Sequence, residues 1–239
     1  MTTQSRSLGT LLGVWAHPDD ETYLSAGLMA RSVREGANVV CVTATRGEGG
    51  SWDEVRWPTA EMGKVREAEL LNSLQVLGVT DHLWLNYYDG TCGAVDFEEG
   101  VAKIRAIIDR VRPDSVLTFG PDGMTDHPDH KAVSGWTAAA FSRAAKPGAR
   151  LYYATMTPDW AKEFVPLMNR FNVFAEGTPP VTPPDQLAID FALPADLLEL
   201  KLKAIEMHVS QVEGMLNAFG RDFFRQAHKA EFFHLAAER

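Results

Sequence analysis

Five short apolar runs recur through the first two thirds of the chain with helical segments between them, and this alternation constrains the fold more than any other feature. Leu11-Leu12-Gly13-Val14-Trp15 and Ser115-Val116-Leu117-Thr118-Phe119 are nearly unbroken rather than alternating, the pattern of strands covered on both faces. Strands are predicted over residues 9–15, 38–45, 82–85, 115–119 and 150–155. Helices are predicted over 25–34, about 59–77, 97–111 and 130–145, with Leu24, Leu28, Met29 and Val33 marking the apolar face of the first. Strands spaced by helices demand right-handed βαβ crossovers. The expected fold is α/β and Rossmann-like, a mostly parallel sheet with helices on both faces.

A Pro-rich stretch at 177–184 bounds this regular core. Beyond it, residues 187–191 look strand-like, and a helix is predicted from Pro194 as its first helical position, carrying Leu197, Leu198, Leu200, Ile205 and Met207. With 239 residues the chain can bury a sizeable interior. One domain over 1–239 is expected, with a core at about 8–155 and a smaller C-terminal α+β region at about 156–239. The net charge of -9, without any Lys/Arg-rich block, argues against nucleic acid or an anionic membrane as partner. No stretch approaches the roughly 20 apolar residues of a membrane span, and the short N-terminal apolar run does not read as a signal peptide. A cytoplasmic protein is therefore expected. Homo-oligomerisation is left open. Cys41 and Cys92 have no metal-ligand spacing, and Cys41, within a predicted strand, reads as a small buried hydrophobe.

The chemistry lies in two clusters. Ala16-His17-Pro18-Asp19-Asp20-Glu21 follows the first predicted strand, and Asp126-His127-Pro128-Asp129-His130 follows the fourth. An imidazole and three carboxylates crowded at a strand mouth repel one another unless a cation sits among them. In a doubly wound sheet of order 3-2-1-4-5, strands one and four are neighbours, and ligands bind in the crevice at their carboxyl ends. The order would thus bring together residues more than a hundred positions apart.

His17 and Asp20 are three apart, as are His127 and His130, so either pair can share one face of a helix start. Two imidazoles and a carboxylate with open positions suit a catalytic zinc ion, with ferrous iron as an alternative. The expected ligands are His17, Asp20 and His130. Asp19 then stands beside the metal as general base. His127, if protonated, would stabilise an oxyanion or hold the leaving group, while Asp129 would orient His127 or a liganding histidine. Against this, a lone His-x-x-Asp more often caps a helix, and Asp126 and Asp129 also suit helix-start carboxylates. Two His-Pro-Asp clusters, each after a predicted strand, favour the metal.

The AHPDDE run followed by HPDH resembles the LmbE/PIG-L family of zinc-dependent N-acetylglucosamine deacetylases. Thr45-Arg46-Gly47-Glu48 with Gly50, the stretch from Arg66 to Gly78, Tyr88-Asp89-Gly90 and His208-Val209-Ser210-Gln211 are similar to further family segments. The resemblance implies a Rossmann-like deacetylase with zinc on His17, Asp20 and His130, Asp19 as base and acid, and His127 as electrostatic stabiliser. It also implies that Glu48, Arg66 and Asp89 line a sugar pocket. As competing readings, Arg66 and Glu69 make a solvated helix pair, and Asp89-Gly90 a plain turn. His208 and Gln211 either close the site or only pack. The implied substrate is a small amino sugar carrying an N-acyl group, acetyl first, in a soluble enzyme of bacterial thiol-conjugate metabolism or antibiotic tailoring. Cleavage of a larger amide, a non-haem iron oxygenase and a sugar-binding module are the competing functions. Residues 46–58 and 158–184 are expected to set substrate choice.

Overall fold

The computed structural model describes residues 7–174 and 179–239. Gly177 and Thr178, at the start of the expected boundary, fall outside the described residues. The elements are β1 (Leu11–Trp15), α1 (Asp20–Arg34), β2 (Val39–Thr43), α2 (Thr59–Leu77), β3 (Asp81–Trp84), α3 (Phe97–Val111), β4 (Ser115–Phe119), the single turn α4 (Gly123–Asp126), α5 (Pro128–Ala144), β5 (Arg150–Thr155), α6 (Pro158–Met168), β6 (Ile189–Ala192), α7 (Ala195–Glu206), α8 (Val209–Ala227) and β7 (Ala230–Glu238).

All strands join one sheet in the order β3-β2-β1-β4-β5-β7-β6. β1 to β5 run parallel in the expected order, and β1 pairs with β4 through Leu11↔Ser115, Leu12↔Val116 and Gly13↔Leu117. Every residue of β1, β2 and β4 is buried, as strands sandwiched between helix layers must be. Helices α1, α2 and α7 pack against one another, and α3 packs on α5, giving the two layers. Local signals set several boundaries. Asp96 caps α3 by accepting the N–H of Glu99, and Gly78 ends α2 in the left-handed conformation with φ 76°.

Three helix starts are corrected. α1 starts at Asp20 rather than residue 25, so the acidic run is itself the first turn, where carboxylates meet the positive end of the helix dipole. α5 starts at Pro128 rather than His130, because proline's fixed φ suits the first helical position; it ends at Ala144. Pro194 caps α7 and precedes its first helical residue. The strands of the C-terminal α+β region join the central sheet: β7 pairs antiparallel with both β5 and β6. Among the described residues no helix is long and apolar enough to cross a membrane.

Candidate active site

The carboxyl ends of β1 and β4 lie side by side, and each feeds a contorted turn. After Trp15, residues 16–19 swing the chain into α1, and Asp19 adopts φ 110°, a conformation that L-residues hold only when their surroundings enforce it. Asp20 folds back over the strand end, its Oδ2 accepting the backbone N–H of His17 at 2.7 Å and of Ala16 at 3.2 Å. After Phe119, Met124 and Asp126 also take positive φ, and the turn delivers His127 to the N-terminal cap of α5. The His130 ring stacks on Phe119, with centroids 4.1 Å apart and planes 9° from parallel.

His17, Asp20 and His130 converge. His17 Nδ1 lies 3.0 Å from His130 Nε2; Asp20 Oδ1 is 3.4 Å from His130 Nε2, and Oδ2 is 3.7 Å from His17 Nδ1. The outer nitrogens are committed. His17 Nε2 faces Asp89 Oδ1 at 2.9 Å and Asp129 Oδ2 at 3.3 Å, and His130 Nδ1 donates to the Gly123 carbonyl at 2.8 Å. With the outer nitrogens carrying protons, the inner ones turn lone pairs toward each other across 3.0 Å. That gap must hold a proton or a cation. Burial alone would lower the pKa of His17, but hydrogen bonds to Asp129 and Asp89 and the charge of Asp20 raise it to about 10. Burial, then the charge of His17, holds His130 well below the ordinary imidazole range. A proton on His17 thus fills the place for which two imidazoles and a carboxylate are shaped, and a divalent metal fits the same donors. His17, His127 and His130 also offer ligand atoms within 4.8 Å of one another, as do His17, Asp89 and Asp129.

The other expected residues fall into distinct places. Arg66 donates through Nη2 to Asp19 Oδ2 at 3.2 Å and to the Pro18 carbonyl at 2.6 Å, and through Nη1 to the Gly47 carbonyl at 3.2 Å. Gly47 has φ +66°, and a Cβ there would lie 2.1 Å from Arg66 Nη1, so only glycine admits the guanidinium. Burial pushes the Asp19 carboxyl up, Arg66 pulls it down and Asp20 pushes it up again, leaving it at about 6. Arg66 and Glu69 are both buried, which overturns the solvated-pair reading; Glu69 accepts the N–H and hydroxyl of Ser210, tying α2 to α8.

Asp89 is no plain turn residue. It lines the cavity, accepts the Gly49 N–H at 2.9 Å and, despite the upward push of burial, is held well below the usual carboxylate range by His17. Asp129 is fully buried behind His17, accepting the N–H groups of Cys92 and Gly90. Of its two expected partners, its carboxylate meets His17 and not His127. Glu48 lies off the cavity wall and braces Asp89 by accepting its backbone N–H at 3.1 Å. His127 lines the cavity, and its Nδ1 accepts the N–H of Asp129 at 3.2 Å. Burial, then the charge of His17, lowers its pKa. With Nδ1 accepting that N–H, a proton on the neutral ring sits at Nε2.

Gln211 also lines the cavity and donates to the Gly50 carbonyl, whereas His208 lies beneath α1 with its Nε2 3.4 Å from Glu21 Oε1. His208 therefore takes the packing role, in a buried layer with Glu21, Thr22 and Ser73 that sequence reasoning did not foresee. Its signals were His208 and the third carboxylate of the acidic run, and nothing local tells which carboxylate turns inward. The cavity holds about 450 Å³ over a polar floor of His17, Asp19, Asp20, Arg66, Asp89, His127 and His130. The wall facing this floor draws on Met156, α6, the segment after it and α8.

Known proteins share the sequence pattern and the fold of this chain. Residues 12–141 match the GlcNAc-PI de-N-acetylase (PIG-L) family. A 1D-myo-inositol 2-acetamido-2-deoxy-alpha-D-glucopyranoside deacetylase of Thermomonospora curvata is 31% identical, over 94% of this chain and 89% of that protein. For two further relatives with that name, the match spans only 46% and 55% of their length. The solved N,N'-diacetylchitobiose deacetylase of Pyrococcus horikoshii superposes with a TM-score of 0.65 at 22% identity, covering 95% of this chain and 83% of that one. The zinc inhibited form of teicoplanin deacetylase Orf2 superposes with a TM-score of 0.70 at 17% identity, covering 96% and 98%. At these identities the two structures speak to the fold.

Proposed function

Because this chain belongs to the GlcNAc-PI de-N-acetylase (PIG-L) family, we propose that it hydrolyses the N-acyl amide of an amino sugar with a divalent metal, zinc first, held by His17, Asp20 and His130. The observation that carries this reading is the pair of inward lone pairs of His17 and His130 beside the Asp20 carboxylate, with both outer nitrogens locked by hydrogen bonds. Bound there, the cation would polarise the amide carbonyl and make water a nucleophile at neutral pH.

The chain's own groups supply the proton transfers. Asp19, poised at about pH 6, takes the proton of the attacking water and passes it to the departing amine nitrogen as the C–N bond breaks. Arg66 keeps that carboxylate ionised and aimed. His127 offers its Nε2 proton to the carbonyl oxygen as negative charge develops there. Asp89 and Asp129 hold the His17 ring in the tautomer that presents Nδ1. A carboxylic acid and a free amino sugar leave.

The test is free-amine release, read with fluorescamine, from a panel of N-acetylated amino sugars after loading with zinc or ferrous iron, alongside metal analysis. One equivalent of metal and metal-dependent amine release are expected. A protein that binds the metal and releases no amine from any N-acyl sugar would refute the reading.

A further inference from the structure

The wall above the polar floor is apolar. It is built from Trp160, Met168, Phe174, Met215, Phe223 and Phe224. Trp160 spends its N–H on the Ala227 carbonyl at 2.7 Å, leaving its ring as apolar surface. The apolar surface also continues outward. Ring centroids step from Phe224 to Phe223 at 5.7 Å, to Phe219 at 4.6 Å and to Phe171 at 5.4 Å, and Phe171 is 39% exposed. A row of aromatic rings therefore leads from the cavity to solvent.

His228 also lines the cavity; it is only 6% exposed, and its covered Nε2 has no hydrogen-bond partner among the described residues, so it adds no polar anchor to this wall. A polyol in this part of the site would set its hydroxyls against rings and thioethers that cannot pair with them.

We propose that the substrate carries an apolar arm, an alkyl or aryl group attached to the amide-bearing sugar, that lies along this wall and follows the aromatic row outward. The proposal rests on the deacetylase reading for its reaction but not for its binding surface. The arm is either the acyl chain itself or the group on the sugar's anomeric oxygen. The thioethers of Met168 and Met215 adapt to such a chain without demanding one shape.

Two matched series separate the sources on the metal-loaded protein. The first is N-acetyl-, N-butanoyl-, N-hexanoyl- and N-octanoyl-glucosamine. The second is N-acetylglucosamine as its methyl, hexyl, octyl and inositol glycosides. Where the arm is buried, kcat/KM should rise by up to about fourfold per methylene. A rise in the first series assigns the arm to the acyl group, and a rise in the second assigns it to the aglycone. Met215→Gln and Phe223→Gln, at half-buried positions, should flatten whichever slope is seen. Flat slopes in both series, or a preference for the inositol glycoside over the octyl one, would overturn the proposal. Calorimetric titration with methyl and octyl glucoside gives a readout independent of turnover. Tighter octyl binding with no amine released from any compound would sustain the apolar arm and remove the deacetylase reading.

Discussion

Arg66 is the residue whose replacement tests most of the site's logic at once. Its Nη2 stands 3.2 Å from Asp19 Oδ2, and the pair is largely buried, with side-chain exposures of 6% and 16%. At an effective dielectric of about 20, unit charges at that separation interact by about 5 kcal/mol. This is an upper bound, because the guanidinium also serves the Pro18 and Gly47 carbonyls. An opposite charge at this range typically depresses a carboxyl pKa by about 1–3 units. Asp19 must be ionised to accept a proton, so removing the cation raises its pKa from about 6 and moves the acid limb of the pH–rate profile upward. For Arg66→Met the acid limb of kcat/KM should shift up by about 1–3 pH units, with the rate partly recovered well above it. The assay is amine release from pH 4 to 10 at fixed ionic strength, with bound metal measured in parallel. An acid limb unchanged in position, with metal and fold intact, would show that Asp19 is not the group titrating there or that Arg66 does not hold it.

His17→Ala and His130→Ala should each lower bound metal well below one equivalent while circular dichroism stays native. Because His17 is held protonated up to about pH 10, metal loading of the unmodified protein at pH 7 should release about one proton, read by calorimetry in buffers of different ionisation enthalpy. Asp19→Asn should retain metal and lose about 10²–10⁴-fold in turnover; loss of metal in Asp19→Asn but not in Asp20→Asn would exchange their roles. His127→Ala should lower kcat by about 10²–10³-fold with little change in KM. Since its Nδ1 accepts a backbone N–H, any alkaline limb of the pH profile should persist in that variant. Lys201→Met, which leaves the buried carboxylate of Glu231 without its 2.7 Å partner, should cost about 3–5 kcal/mol in urea unfolding.

The sheet was legible where burial writes itself into composition. β1, β2 and β4 carry largely apolar runs because helices cover both faces, and β4 and β5 lie at the residues expected. α2 and α3 are also where the sequence placed them, α2 ended by Gly78 and α3 begun by the Asp96 cap. α6, α8 and β7 were not foreseen. β7 is half-exposed at the sheet's antiparallel end, and its identity as a strand comes from pairing with β5 and β6 rather than from any period of its own. α8 is broken at Gly220, where φ is 75° and ψ is 166°, which interrupts the helical pattern.

The site divides along the same line. His17, Asp20 and His130 could be picked out from residue type and spacing, because donors at a helix start share a face whatever surrounds them. Their meeting needed β1 beside β4, which only long-range strand order supplies. Tertiary structure alone decided that Arg66 is buried against Asp19, that Asp89 and Asp129 both back His17, and that Glu48 stands one bond behind Asp89. The apolar wall is likewise invisible in one dimension. Hydrophobic residues in helices at 158–168 and 209–227 read as core in any sequence, and only their packing shows which of them face a cavity instead of each other. Local chemistry is set by neighbours along the chain, whereas burial and charge environment are set by neighbours in space, and the latter decide which ionisable groups of this site do the work.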